Sequence, residues 1–299
     1  MPVELPVPTV VEWYDHAARD LPRRAAGVPP WAVLVSEIML QQTPVARVRP
    51  VYEAWLQRWP TPDALAADSP GDAVRMWGKL GYPRRALRLH ECAGELVTRF
   101  RGAVPADLDA LLSLPGIGSY TARALAAFAF GQRQPVVDTN VRRVVARAVA
   151  GQGNAGPPSG ARDLAAVEAL LPASPASAAR FSVALMELGA LVCTARSPRC
   201  GECPIAAACA WRSAGYPGHD GPTARPQRFA GTDRQVRGRL LDVLRGTDEP
   251  VHRHLLDAVW HDANQRERAL DSLVADGLID PLPDGRYALP GHRRSQQPT

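Results

Sequence analysis

Four cysteines crowd into seventeen residues of this 299-residue chain, as Cys193-x6-Cys200-x2-Cys203-x5-Cys209. Four thiolates this close in sequence can wrap one soft metal centre. The chain opens with no basic stretch followed by an apolar one, so export and a disulfide framework are not expected. Tetrahedral zinc usually takes two short cysteine knuckles separated by a longer loop, and only one short pair exists here. The wider outer spacings suit a four-iron cluster better, with zinc left open. Either centre would hold a loop bearing Arg196, Arg199 and Arg212, side chains suited to phosphate. The fifth cysteine, Cys92, stands alone in an apolar helical pattern and reads as an ordinary buried thiol.

Two carboxylates could do acid–base work. Glu37 is the only charge in the run Trp31-Ala-Val-Leu-Val-Ser-Glu-Ile-Met-Leu40. A carboxyl in such a run either faces solvent or is kept for function, because desolvation favours the neutral acid. Asp138 follows Pro135-Val-Val and precedes Thr139-Asn140-Val141, a pattern that on its own reads as a helix N-cap. A third feature, Leu114-Pro115-Gly116-Ile117-Gly118-Ser119, reads as a tight turn between two helices. Its glycines would let a phosphate approach the backbone, and N–H groups at the next helix start would face it. The plain alternative is an ordinary helical hairpin. Gln41-Gln42-Thr43 and Gly81-Tyr82 read as turn residues.

Helical spacing of apolar residues predicts the elements that carry these groups: helices over 11–19, 31–40, 45–59, 72–80, 84–100, 106–114, 119–130, 141–149 and 181–192. Breakers such as Pro60-Thr61-Pro62, Ser69-Pro70-Gly71 and Tyr82-Pro83 fall between them, and 151–160 reads as a surface loop. The fold class is all-α. Residues 213–232 read as a linker. Beyond it, helices over 237–244, 255–261 and 265–275 and a hairpin around Pro283-Asp284-Gly285 predict a winged-helix-like module at 233–290, then a disordered tail at 291–299.

Charge adds a direction. Of 35 basic residues 34 are arginine and Lys79 is the only lysine, so coding bias alone could supply the formal +5. Its placement says more: residues 1–232 carry +6 and residues 233–299 carry −1, so a grip on a polyanion belongs to the front of the chain. With 46% hydrophobic residues the chain can build a core, and no apolar run approaches a membrane span. A soluble, cytoplasmic protein that does not meet membranes is expected.

Taken in order, Ser36-Glu37-Ile38-Met39-Leu40-Gln41-Gln42-Thr43, Lys79-Leu80-Gly81-Tyr82, the hairpin, Val137-Asp138-Thr139-Asn140-Val141-Arg142-Arg143-Val144, and Glu187-Leu-Gly-Ala-Leu-Val-Cys193 with its cysteine loop resemble the endonuclease III superfamily. Within it the chain most resembles the MutY-type adenine DNA glycosylases over roughly residues 11–212. That resemblance implies a two-subdomain helix–hairpin–helix glycosylase domain at 1–212 with a DNA-binding cleft. A six-helix subdomain would span about 25–135, and a cluster subdomain would combine 1–24 with 136–212. It implies a [4Fe–4S] cluster on Cys193, Cys200, Cys203 and Cys209. It also implies a monomer that acts on double-stranded DNA with adenine opposite 8-oxoguanine or G, associated with the nucleoid. Glu37 would protonate the base, Asp138 would stabilise the sugar cation, and Tyr120 and Asn140 would orient them. Gln42, Leu80 and Tyr82 match positions that wedge into the duplex or touch the orphaned base, Thr43 a contact to that base, and Arg24 a cleft residue. Gly116, Gly118 and Ser119 would meet DNA through the hairpin.

Strand-cutting relatives use a hairpin lysine as a Schiff-base nucleophile. Here Tyr120 stands at that position, which implies a glycosylase without lyase activity. The sequence departs from the family pattern at Thr139, where glycine is frequent, and at Pro83, where a second aromatic is common. The 67 residues after the linker are too few for the Nudix-like domain of typical members. A thymine-mismatch or oxidised-pyrimidine glycosylase, and a non-catalytic helix–hairpin–helix DNA-binding protein, are the alternatives.

Overall fold

The computed structural model describes residues 5–21, 27–218 and 229–292. Its helices are α1 (Val7–Ala17), α2 (Pro30–Leu40), α3 (Val45–Arg58), α4 (Pro62–Ala67), α5 (Pro70–Trp77), α6 (Arg84–Phe100), α7 (Leu108–Leu112), α8 (Ser119–Phe128), α9 (Thr139–Ala148), α10 (Gly160–Glu168), α11 (Pro175–Leu191), α12 (Ala210–Ser213), α13 (Asp233–Arg245), α14 (Arg253–Asp257) and α15 (Ala263–Ala275). Three short strands, β1 (Val251–His252), β2 (Asp280–Pro281) and β3 (Arg286–Ala288), complete it. No described helix is long and apolar enough to cross a membrane.

The all-α expectation holds, with two helices that the breaker pattern conceals. Pro60-Thr61-Pro62 marks a start rather than a gap: the Thr61 hydroxyl accepts from the Ala64 N–H at 3.3 Å, and Pro62 takes the first helical position of α4. At the start of α10, the Asp163 carboxylate accepts from the Ser159 N–H and from Arg142 Nε, at 2.9 and 2.6 Å.

The chain divides into two compact units. One comprises residues 1–33, 105–113 and 117–223. Its core surrounds α11, whose Phe181, Ala184, Leu185 and Leu188 are buried with Val10 and Tyr14 of α1 and Val141 and Val144 of α9. Glu187, wholly buried on α11, accepts from the backbone N–H, Nε and a terminal amine of Arg19 at 3.0, 2.8 and 2.7 Å. A buried carboxylate needs such a partner, and the pair fastens the segment after α1 to α11.

The other unit comprises residues 34–104, 114–116 and 224–299. Trp55, Trp59 and Trp77 form an edge-to-face cluster, with ring centroids 4.6 Å apart for the first pair and 5.8 Å for Trp55 and Trp77. Against such cores α6 turns one stripe, Ala86, Leu89, Cys92, Ala93 and Leu96, all buried at helical spacing. The C-terminal segment is part of this unit. It packs α13 and α15 around Val236, Leu240, Leu244, Leu270 and Leu273, and β1 joins the expected hairpin to make an antiparallel sheet in the order β1-β3-β2. Gly285, at φ +79°, closes the β2–β3 turn. Residues 105–135, expected with the six-helix subdomain, fall in the cysteine-bearing unit except for 114–116. Of the expected linker only 213–218 and 229–232 are described, and of the expected tail only Gly291 and His292.

Candidate active site

Every residue of α2 from Trp31 to Met39 is buried, and Glu37 itself is 2% exposed. The solvent-facing reading of Glu37 is thereby excluded within its own unit. The helix stops at Leu40, and Gln42 adopts a left-handed conformation at φ +56°. A helix end buried this way leaves carbonyls that need donors. Arg85, near the start of α6, supplies them: it donates to the carbonyls of Ile38, Met39 and Gln41 at 2.8, 3.1 and 2.6 Å. It also reaches the Thr43 hydroxyl at 2.9 Å and the Gly81 carbonyl at 3.0 Å. Burial pushes the Arg85 guanidinium down to about 10.

Arg85 therefore joins two turns. The Thr43 hydroxyl donates to the Leu80 carbonyl at 3.2 Å, and the Trp77 ring N–H donates to the Gly81 carbonyl at 2.9 Å. Gly78, Gly81 and Tyr82 all have positive φ, so the chain doubles back sharply between α5 and α6. The result sorts the expected DNA contacts. Tyr82 is 55% exposed and Gln42 is also exposed, whereas Leu80 and Thr43 are buried. Leu80 and Thr43 shape the two turns; Gln42 and Tyr82 are what those turns display. Arg24 lies outside the described residues.

In the hairpin after α7, Gly116 has φ +76°, and a Cβ there would stand 2.9 Å from Cβ of Arg88, so only glycine fits. Gly118 begins α8 in extended backbone with open space where a Cβ would be. Both glycines and Ser119 are exposed. The first N–H groups of α8 are a ready anion cradle.

Asp138 caps α9. One carboxylate oxygen accepts from the Val141 N–H and the other from the Asn140 side-chain amide, each at 2.7 Å. The Asn140 carbonyl oxygen in turn accepts from Arg143 at 2.7 Å, and Arg143 also donates to the carbonyls of Gly189 and Cys193, both at 2.7 Å. Gly189 is obligatory, since a Cβ would stand 2.8 Å from both Cβ and the carbonyl oxygen of Asn140. Burial lifts the Asp138 carboxyl above the ordinary aspartate range, against the pull of Val141, Asn140 and Arg143. Tyr120 is half-buried against the core of the same unit.

The four loop cysteines line one pocket with Arg147, Leu188, Ile205 and Trp211. Arg147 is almost fully buried: it donates to the carbonyls of Gly153, Thr194 and Ala195 at 3.1, 2.7 and 3.1 Å and to the Cys193 sulfur at 3.5 Å. Its guanidinium lies 4.6 Å from the Trp211 ring centre. Burial first, and then the thiols of Cys193, Cys209 and Cys200, push Cys203 up to about 11. Thiols that oppose each other's ionisation are the donor set a cationic centre relieves. Among the described residues, no three Cys, His, Asp or Glu side chains are grouped for a single ion. Cys92 is different: buried in α6, it is pushed up to about 12 and is an inert thiol. Nothing in the sequence singles out Arg85, Arg143 or Arg147, because arginines are too numerous for any one to signal a role.

Comparison with known proteins gives the family. The family model for the HhH-GPD superfamily base excision DNA repair protein matches residues 35–166, and that for the iron–sulfur binding domain of endonuclease III matches 193–209. The adenine DNA glycosylase of Mycolicibacterium smegmatis is 59% identical over 99% of this chain and 98% of its own. That of Mycobacterium tuberculosis is 59% identical over 97% of this chain and 99% of its own. The solved structure of a thermostable thymine-DNA glycosylase covers 70% of this chain and 95% of its own, with a TM-score of 0.63 at 26% identity. The cofactor is a [4Fe–4S] cluster, and the loop from Cys193 to Cys209 is its binding segment. The chain belongs to the adenine DNA glycosylases, a family of helix–hairpin–helix, iron–sulfur enzymes of base excision repair.

Proposed function

We propose that this enzyme is a monofunctional glycosylase that releases adenine paired with 8-oxoguanine or G in double-stranded DNA, as a monomer acting on nucleoid DNA in the cytoplasm. The observation that carries it is Asp138, whose two oxygens are each fixed by a donor. An N-glycosidic bond breaks through a sugar cation, and a preoriented carboxylate is what such a cation needs.

The adenine is first flipped out of the stack, with Gln42 and Tyr82 entering the duplex and Leu80 and Thr43 shaping the turns behind them. Gly116, Gly118 and Ser119 hold a phosphate. Glu37 donates its proton to adenine N7. The bond from C1′ to N9 breaks, its electron pair leaves with the base, and Asp138 stabilises the resulting cation. Water then adds its oxygen to C1′ and returns a proton to Glu37, leaving free adenine and an abasic sugar. Tyr120 and Asn140 orient the two carboxylates. Cys193, Cys200, Cys203 and Cys209 ligate the cluster, which when bound ties their loop into one rigid element. Tyr120 at the hairpin offers no amine, and the sole lysine, Lys79, is exposed beside Asp242. Both facts support base release without strand cleavage.

Single-turnover assays on duplexes with A opposite 8-oxoguanine, T opposite G, or thymine glycol test the reading. Release of adenine from the first, with no cleavage until alkali is added, is expected. Release only of thymine would favour the second reading, to which the thymine-DNA glycosylase likeness lends some support. Tight duplex binding with no base released would mean a pure DNA-binding protein.

A further inference from the structure

Among the contacts described, the C-terminal module meets the rest of its unit at both ends of α5, at the start of α6 and at Lys79 between them. At the start of α5, the Gly71 N–H donates to the Pro290 carbonyl at 2.8 Å, and a Cβ on Gly71 would stand 2.7 Å from that oxygen. Backbone meets backbone here with no room for a side chain. At the end of α5 the Gly78 N–H bonds to the Arg75 carbonyl, which leaves the Val74 carbonyl without its usual helical donor. Arg245, from the last turn of α13, supplies it at 3.1 Å, with its own side chain 11% exposed. Arg75 answers by donating to the Thr247 carbonyl at 2.9 Å. Past the turn, Arg84 at the start of α6 pairs with Asp276 at 3.2 Å, and Asp276 is held by Arg237 at 2.6 Å. Within the turn, Lys79 lies 3.6 Å from Asp242.

We propose that the C-terminal module is a brace for the turn at 78–83, with Arg245 as the positioning residue that fixes how Tyr82 is presented to the duplex. The proposal rests on the reading that this turn enters DNA. Left-handed φ at Gly78, Gly81 and Tyr82 makes the turn costly to hold, by about 1 kcal/mol or more at the tyrosine, so outside support has something to do. The attachments bracket the turn from both sides. The net charge of −1 over residues 233–299 suits a brace better than an independent grip on phosphate.

A double-mutant cycle in the full-length, cluster-loaded enzyme tests this. The probe is a duplex with a non-hydrolysable adenine nucleotide opposite 8-oxoguanine. Tyr82→Ala and Arg245→Met should each weaken binding about tenfold. In the Tyr82→Ala background, Arg245→Met should have no further effect. Additive losses would overturn the proposal, because the module would then act on DNA itself or through general stability. A silent Tyr82→Ala would sink the reading of the turn, and the brace with it. Should Arg245→Met fail to fold, Asp276→Asn at the α6 attachment takes its place in the same cycle: no further loss beside Tyr82→Ala supports the brace, and additive loss overturns it.

Discussion

Glu37 and Asp138 are assigned to opposite ends of one bond, and the regions that carry them are built on opposite plans. Glu37 sits in the interior of a helix whose neighbours from Trp31 to Met39 are all buried, and the helix end is fixed by Arg85. Asp138 sits at a helix start, where the Val141 N–H and the Asn140 amide each take one of its oxygens. Apolar side chains surround the first carboxyl, whereas two hydrogen-bond donors fix the second.

The largest effects should come from neutralising each acid. Glu37→Gln should slow single-turnover release of adenine by roughly 10²–10⁴-fold, the range for losing a general acid. Asp138→Asn should slow it by roughly 10²–10³-fold, the range for losing one preoriented electrostatic group. Stability separates the two. The Asp138 carboxyl titrates above its unfolded value, so its contribution is present below the unfolded pKa and is lost as pH rises through the folded one. Asparagine, by contrast, never ionises and still caps α9. Relative to wild type, the Asp138→Asn variant should therefore gain melting temperature as pH rises through the range in which Asp138 ionises. Melting below wild type would mean that the carboxylate is retained for stability rather than chemistry.

One step smaller are the arginines that serve each plan. Arg85→Met removes the donors from three carbonyls at the end of α2 and should cost on the order of 3 kcal/mol in unfolding free energy. Iron per chain should stay unchanged. Arg147→Met removes the donors from Gly153, Thr194 and Ala195 and the contact to the Cys193 sulfur, so here iron content and visible absorbance should fall. Equal iron loss in both variants would erase the distinction between the regions.

Legibility in the sequence follows the same divide. Asp138 and the cysteine loop are readable because local rules govern them: an N-cap depends on three neighbouring residues, and ligand spacing is a property of one segment. The helical hairpin is legible for the same reason. Leu80, a duplex contact by resemblance, is 3% exposed; which residue a left-handed turn hides depends on Arg85 and Thr43, which lie outside that turn. Helix α4 escapes the sequence pattern because proline both breaks helices and begins them, and Thr61 decides which. Strand β1 escapes it because two residues show no alternation, and the strand exists only by pairing Val251 with Tyr287 and His252 with Arg286.

The smallest effects belong to the two hairpin glycines, one in each unit. Gly116→Ala forces a left-handed alanine against Cβ of Arg88 and should cost about 1–2 kcal/mol, seen as a lower melting temperature. Gly118→Ala meets no atom within 4 Å and keeps an ordinary extended backbone, so its melting curve should overlay that of wild type. Its methyl would nonetheless project where a phosphate approaches the first turn of α8. DNA affinity should fall a few-fold, and the salt dependence of binding should flatten by about one phosphate contact. A Gly118→Ala enzyme that melts and binds like wild type would remove the hairpin start from the DNA contacts and leave Gly116 with a purely structural role. A variant that melts normally but binds poorly would show that the same Gly-x-Gly motif carries two separate demands: steric room inside one unit, and open backbone for the ligand in the other.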